Sequence, residues 1–181
     1  TGKPVEVGGS EGRSTATGTG VYMLAEKVAE YYNRPLRDAT VAVQGFGNVG
    51  RVAARLLDEA GADVVAVSDS AGGIYDPDGL DMADVERHKD ETGQVTEHAG
   101  TNAVSNEELL TLDVDALIPA ALENAVDASI ADDVDAEFVL EAANGPTTDG
   151  ANSALVERGV RIFPDILANG GLSSRTSNGS R

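Results

Sequence analysis

The residues of this chain best placed to do chemistry are three glycines, Gly45, Gly47 and Gly50, in the stretch TVAVQGFGNVG at 40–50. A G-x-G-x-x-G alone says little in a chain with 21 glycines, so its flanks must decide. Residues 40–44 are a compact β-branched run that predicts a strand. Val49, Val52, Ala53, Leu56, Leu57 and Ala60 then recur at one-face helical spacing, Gly61 stops that helix, and 63–68 (DVVAVS) predicts a second strand. Asp69 closes this strand, 19 residues after Gly50. Strand, glycine turn, helix, strand and acid make the βαβ unit that binds dinucleotides. Gly45 permits the tight turn, Gly47 lets the backbone approach a pyrophosphate, and Gly50 lets the helix pack on the strand. The helix N-terminus then offers free N–H groups and the positive end of its dipole to the phosphates. The alternative, a glycine turn that only joins strand to helix, is outweighed by this full context. The candidate cofactor-binding residues of the turn are Gly45, Phe46, Gly47, Asn48, Val49 and Gly50.

The elements that must carry this unit follow from pattern. Residues 1–20, rich in Gly, Ser and Thr, read as a glycine-rich lead-in loop. Val21, Leu24, Ala25, Val28, Ala29 and Tyr32 share one helical face, which Asn33 and Pro35 close. Beyond Asp69, residues 70–79 are turn-rich with a short strand at 74–75, 80–91 a polar surface helix, 92–105 irregular, and 106–110 a short helix. Further strands are predicted at 116–119, 137–141 and 160–163, with helical patterns at 123–130 and 150–158 between them. Strands alternating with helices predict an α/β fold: a doubly wound, mainly parallel Rossmann-type sheet with helices on both faces. Residues 21–171 form its dinucleotide-binding domain, and 172–181 a disordered tail. In such sheets ligands sit at the carboxyl ends of strands. The predicted strand ends at 45–48, 69–70, 120–124 and 144–147 are all small or polar.

Composition narrows the function classes. At 41% hydrophobic but only 4% aromatic, the core must be built from Val, Ala, Leu and Ile. No stretch approaches ~18 apolar residues, and no signal-peptide pattern opens the chain, so no membrane attachment is expected. The absence of an initiator Met suggests a piece of a longer protein. With no cysteine, disulfides and thiolate chemistry are excluded, and a cytoplasmic location is expected. The net charge of −18 comes from 31 acidic against 13 basic residues, of which only Lys3, Lys27 and Lys89 are lysines. The acids are spread along the chain, which argues against nucleic-acid binding. Molar salt would screen their self-repulsion, so a halophile's protein is expected.

Other chemistries fail on detail. A P-loop at GGSEGRST lacks Gly at 7 and Lys at 13, where this chain has Val7 and Arg13. His88 and His98 lack matched ligands, so no metal site is expected, and both read as solvated surface residues. No Ser-His-Asp set can be argued.

Six segments occur in order: GGSEGRSTATGTG at 8–20, VQGFGNVG at 43–50, SDSAGGIYDPDGLD at 68–81, LIPAALEN at 117–124, EAANGPTT at 141–148 and FPDILAN at 163–169. Together they resemble the cofactor-binding domain of the glutamate dehydrogenase family, with its leucine, phenylalanine and valine dehydrogenase relatives, and in particular that of a halophilic archaeon. The resemblance implies reversible oxidative deamination of L-glutamate to 2-oxoglutarate and ammonia with NAD or NADP, in a homo-hexamer. It implies that Thr17 bonds the nicotinamide carboxamide, that Asn48 lies near pyrophosphate and ribose, that Ala120 and Ala121 wall the nicotinamide ribose, and that Asn144 meets the nicotinamide side. Read from residues alone, Thr17 could instead cap the Val21 helix and Asn144 could mark a turn. Arg13 falls near the interdomain cleft without an assigned role. Asp69 would hydrogen-bond the adenosine ribose and repel a 2′-phosphate, which leans toward NAD. Ser68, Ser70 and Arg51 could favour NADP. The family's catalytic lysine and aspartate belong to a separate upstream domain, so no catalytic residue is expected in this chain. After Asn169-Gly170-Gly171 the sequence LSSRTSNGSR departs from the family pattern. A stand-alone, non-enzymatic nucleotide-binding module is the competing reading.

Overall fold

The computed structural model describes residues 11–121 and 125–164. The predicted tail at 172–181, the start of the chain and residues 122–124 lie outside them. Among the described residues, five α-helices and seven strands follow in order, with one short 3-10 turn at Leu36–Asp38: α1 Glu11–Tyr31, β1 Thr40–Gln44, α2 Asn48–Glu59, β2 Asp63–Asp69, β3 Gly72–Tyr75, α3 Met82–Thr92, β4 Asn102–Val104, α4 Asn106–Leu110, β5 Val114–Pro119, β6 Ala136–Leu140, α5 Asp149–Glu157 and β7 Arg161–Phe163. One sheet runs β4-β3-β2-β1-β5-β6-β7. In sheet order from β2 to β7 all pairings are parallel, whereas β3 pairs antiparallel with both β2 and β4. The sheet is therefore mixed, with a parallel body and an antiparallel edge, as large doubly wound sheets commonly are.

Residues on the two faces of the sheet feed two cores, and an irregularity in the β1–β2 pairing puts both Val64 and Val67 on the same side. Val41, Val43, Val64, Val67 and Ile118 face α1, α2 and α3 on one side. Ala42, Val65, Leu117 and Val139 face α4 and α5 on the other. The aliphatic core expected from composition is present, with Phe46 and Phe138 as its buried aromatics. The chain leaves β1 toward β2 on one side and returns to β5 on the other, so the sheet's switch point lies above the ends of β1 and β5.

Four local expectations change. Residues 11–20 are not loop but the first half of α1. Glycine, serine and threonine are weak helix formers, and packing overrides them: Gly18 is buried against the first turn of α2. Thr17 consequently sits inside the helix, which removes its alternative reading as a cap. The helical pattern at 123–130 does not form a helix over the described part. Val126 bridges Thr147, and Asp127 accepts hydrogen bonds from the Ser129 N–H and hydroxyl, a local turn that competes with helix. The irregular stretch 92–105 contains β4, whose pairing with β3 is a long-range event. Finally, the two histidines are half-buried and partnered rather than simply solvated surface residues. His88 Nε2 lies 2.8 Å from the Thr96 carbonyl, His98 Nε2 lies 3.0 Å from Asp84, and the rings meet edge-on at 5.3 Å, fastening the 93–101 loop to α3.

Candidate functional site

The turn after β1 is built as its glycines require. Gly45 has φ +95°, a left-handed conformation that an L side chain resists, and a Cβ there would lie 2.6 Å from the Ala121 Cβ. A Cβ on Gly50 would fall onto the Gly45 carbonyl oxygen, so α2 can press against the turn only with glycine there. Gly47 differs: nothing lies within 4 Å of where its Cβ would be. Gly47 also precedes α2 with no side chain capping it, and the helix's first bond runs from the Arg51 N–H to the Gly47 carbonyl at 2.9 Å. The approach to the N-terminus of α2, the positive end of its dipole, is thus uncrowded on the side where a Gly47 Cβ would lie, as an anion at a helix N-terminus requires. Asn48 is exposed at this first turn and Val49 half-buried. Phe46, grouped with the turn's candidate residues, is fully buried in the core below it, and its N–H is spent on the Ser68 carbonyl at 2.5 Å. Its part is to anchor the turn.

The other strand ends converge on this turn. The Ala120 N–H bonds the Gln44 carbonyl at 2.7 Å, which places Ala121 over Gly45. The N–H groups of Ala142 and Ala143 both reach the Pro119 carbonyl, at 3.1 and 3.2 Å, and so tie the approach to Asn144 onto β5. Asn144 is exposed beyond them, beside Gly145 at φ +57°. On the near side, Gly18 seats α1 against Val49 and Val52, so Thr17, half-buried, stands next to the first turn of α2. Gly45, Ala120 and Ala121 therefore meet at the carboxyl ends of β1 and β5, with Gly47 and Asn48 opening α2 beside them, while Asn144 follows the end of β6 and Thr17 precedes the Gly18 contact with α2. The side chain of Arg13 lies outside the described residues.

Asp69 is placed as expected but is not alone. Its Oδ1 accepts from the Ala71 N–H at 2.9 Å, and its Oδ2 from the Val95 N–H at 2.9 Å and from the Lys89 ammonium at 2.5 Å. Its side chain is 11% exposed and that of Lys89 20%. Burial pushes the Asp69 carboxyl up, but the bonds from Lys89, Ala71 and Val95 outweigh it and hold its pKa below the usual carboxylate value. The sequence reading missed Lys89, although a lone lysine kept among the acids of α3 was a signal. Two groups suggested as phosphate donors are otherwise engaged. Ser68 is buried and its hydroxyl donates to Asn106 Oδ1 at 2.6 Å. Arg51 is clamped by both oxygens of Asp90, at 2.7 and 2.8 Å, and faces Glu86 at 3.4 Å, with its pKa raised first by the Asp90 bond. Ser70 remains exposed. Asn106, also missed, donates to the Asp69 carbonyl at 2.9 Å and so links the end of β2 to α4. Among the described residues, no three acids or histidines are grouped to hold a metal ion, and no helix is long and apolar enough to cross a membrane.

Known proteins carry the same segment. The family model for Glutamate/Leucine/Phenylalanine/Valine dehydrogenase matches residues 8–174. An NADP-specific glutamate dehydrogenase A1 of Halobacterium salinarum is 59% identical over 172 residues, covering 94% of this chain and 41% of that protein. An NAD-specific glutamate dehydrogenase A of the same species is 56% identical over 171 residues, covering 94% of this chain and 39% of that protein. Among solved structures, a leucine-bound hetero-hexameric glutamate dehydrogenase from Thermus thermophilus superposes with a TM-score of 0.82 at 39% identity, over 94% of this chain and 40% of that one. The chain thus spans about two fifths of the length of the relatives it matches. With the match running through the glycine turn and the strand ends around it, this chain belongs to the glutamate/leucine/phenylalanine/valine dehydrogenase family, as a member related to glutamate dehydrogenases.

Proposed function

We propose that this chain is the nicotinamide-dinucleotide-binding domain of a glutamate dehydrogenase, whose substrate domain lies elsewhere in the full-length protein. The observation that carries this reading is Gly47: in a turn where Gly45 and Gly50 are packed solid, it alone leaves open space before a helix N-terminus. The residues present fit the cofactor. The first turn of α2 binds the pyrophosphate, with Asn48 beside it. Ala120 and Ala121 leave room for the nicotinamide ribose, and Thr17 and Asn144 orient the nicotinamide. When bound, NAD(P) supplies the hydride acceptor and donor for the reversible deamination of L-glutamate to 2-oxoglutarate. The chain's own groups hold and orient it, and turnover by this chain alone is not expected.

At the adenosine end, Asp69 offers a carboxylate oxygen to the ribose hydroxyls while Lys89 offers an ammonium to a 2′-phosphate. The lean toward NAD rested on Asp69 weighed against Ser68, Ser70 and Arg51, and the Lys89 ammonium paired to Asp69 adds a cation that supports use of either coenzyme. The acid excess and scarcity of lysine support a cytoplasmic protein working in molar salt, and the full-length protein is proposed to be a hexamer. The test is calorimetric titration of the 181-residue chain with NADH and NADPH in molar KCl. Binding of either supports the dinucleotide reading, their ratio gives the preference, and binding of neither by folded chain refutes it.

A further inference from the structure

Glycine in mid-helix weakens a helix, yet α1 carries Gly18 well inside its span. The reason is contact. A Cβ at Gly18 would lie 2.7 Å from the Val49 carbonyl oxygen, 2.7 Å from Val52 Cβ and 2.9 Å from Val52 Cγ1. The helix also has a fixed direction. Its C-terminal end lies beside the start of β1, where Arg34 meets Asp115 and Asp115 accepts from the Thr40 N–H. Its N-terminal half therefore rises alongside the glycine turn, and the crossing at Gly18 falls on the very turn of α2 that faces the phosphate site.

We infer that Gly18 is a positioning residue: by letting α1 close onto the first turn of α2, it sets the distance between Thr17, at the nicotinamide end, and the glycine turn, at the phosphate end. The inference rests on the dinucleotide-binding reading above. Carbon atoms in good contact lie about 3.5–4.0 Å apart, so an added methyl must push α1 from α2 by roughly 1 Å. Close-packed helices transmit such a shift rather than absorb it, and Val49 contributes backbone that cannot rotate away. A displacement of that size is enough to break a hydrogen bond at Thr17 while leaving the phosphate site, on α2 and β1, in place.

The test compares NADH with ADP-ribose, which shares the adenosine and pyrophosphate but lacks nicotinamide. Both are titrated into the 181-residue chain in molar KCl, with the 2′-phosphorylated pair used if that coenzyme binds tighter. The unaltered chain should bind NADH more tightly than ADP-ribose. In Gly18→Ala, NADH affinity should fall about 5–10-fold, the range of one lost hydrogen bond, while ADP-ribose stays within about twofold. Equal weakening of both ligands, or no change in either, overturns the inference. Should Gly18→Ala fail to fold by far-UV circular dichroism, Val52→Ala decides, because it removes the side chain that α1 rests on. There NADH should weaken at least about threefold more than ADP-ribose, and a proportionate loss of both overturns the inference. Equal affinity of the unaltered chain for both ligands would instead remove the Thr17 role and the inference with it, and binding of neither would remove the dinucleotide reading itself.

Discussion

Replacing Lys89 by methionine tests whether the Asp69–Lys89 pair supports both the fold and the coenzyme site. Methionine keeps the apolar stem and deletes only the ammonium. Both side chains are mostly buried, at 20% and 11% exposure, so solvent screens the pair weakly. Asp69 would retain the Ala71 and Val95 N–H groups, so the loss should fall short of the ~3–5 kcal/mol of a fully stranded charge. One hydrogen bond to a charged group puts it at about 1.5–3 kcal/mol, and a chain of this size should lose roughly 3–12 °C in Tm. The sign with pH follows from the depressed Asp69 pKa. The pair's contribution is fully present above the unfolded value of 3.8 and disappears as pH falls through the lower folded value. Urea unfolding of the two proteins in molar KCl should therefore differ at pH 7 and converge in acid below pH 3.8. A difference under about 0.5 kcal/mol at pH 7, as exposed pairs give, would refute the reasoning, as would one that persists unchanged in acid. The same variant should lose roughly tenfold or more in NADPH affinity but little for NADH, because only the 2′-phosphate needs the cation.

Four other outcomes are expected. Gly47→Ala should leave Tm unchanged or slightly raised, because its φ of −93° suits alanine and the space is open, yet weaken dinucleotide binding about tenfold. Undiminished binding would show that the turn does not meet the pyrophosphate. Gly50→Ala, by contrast, should cost about 2–3 kcal/mol or prevent folding, since its methyl would meet the Gly45 carbonyl; an unshifted melt would contradict that packing. With a net charge of −18, the chain should gain stability as screening rises, so its thermal midpoint should climb between dilute buffer and molar KCl, and a flat profile would remove the halophilic reading. Asn106→Leu should destabilise by about 1–3 kcal/mol, because it leaves the buried Ser68 hydroxyl without its acceptor, and chemical denaturation would report it.

Local chemistry is what the sequence by itself determined about this protein. The βαβ unit from Thr40 to Asp69 was legible because each of its parts is specified within a few residues: β-branched strands, three glycines at fixed offsets, a one-face apolar helix and a terminal acid. Gly61, at φ +89°, ends α2 where expected for the same reason. The alternation of elements was enough to reach the doubly wound class. Tertiary structure decided whatever depends on distant partners. Residues 11–20 look like loop by propensity and become helix because Gly18 finds α2 more than 30 residues away. The strand β4 exists only through its pairing with β3. Asp69 looked like an unaccompanied selector until folding brought Lys89 to it, and Ser68 and Arg51 looked available until Asn106, Asp90 and Glu86 took them. Which groups of the site remain open to a ligand is a property of the assembled neighbourhood. A carboxylate or guanidinium commits itself to the nearest well-placed partner, and only the closed fold determines which partner that is.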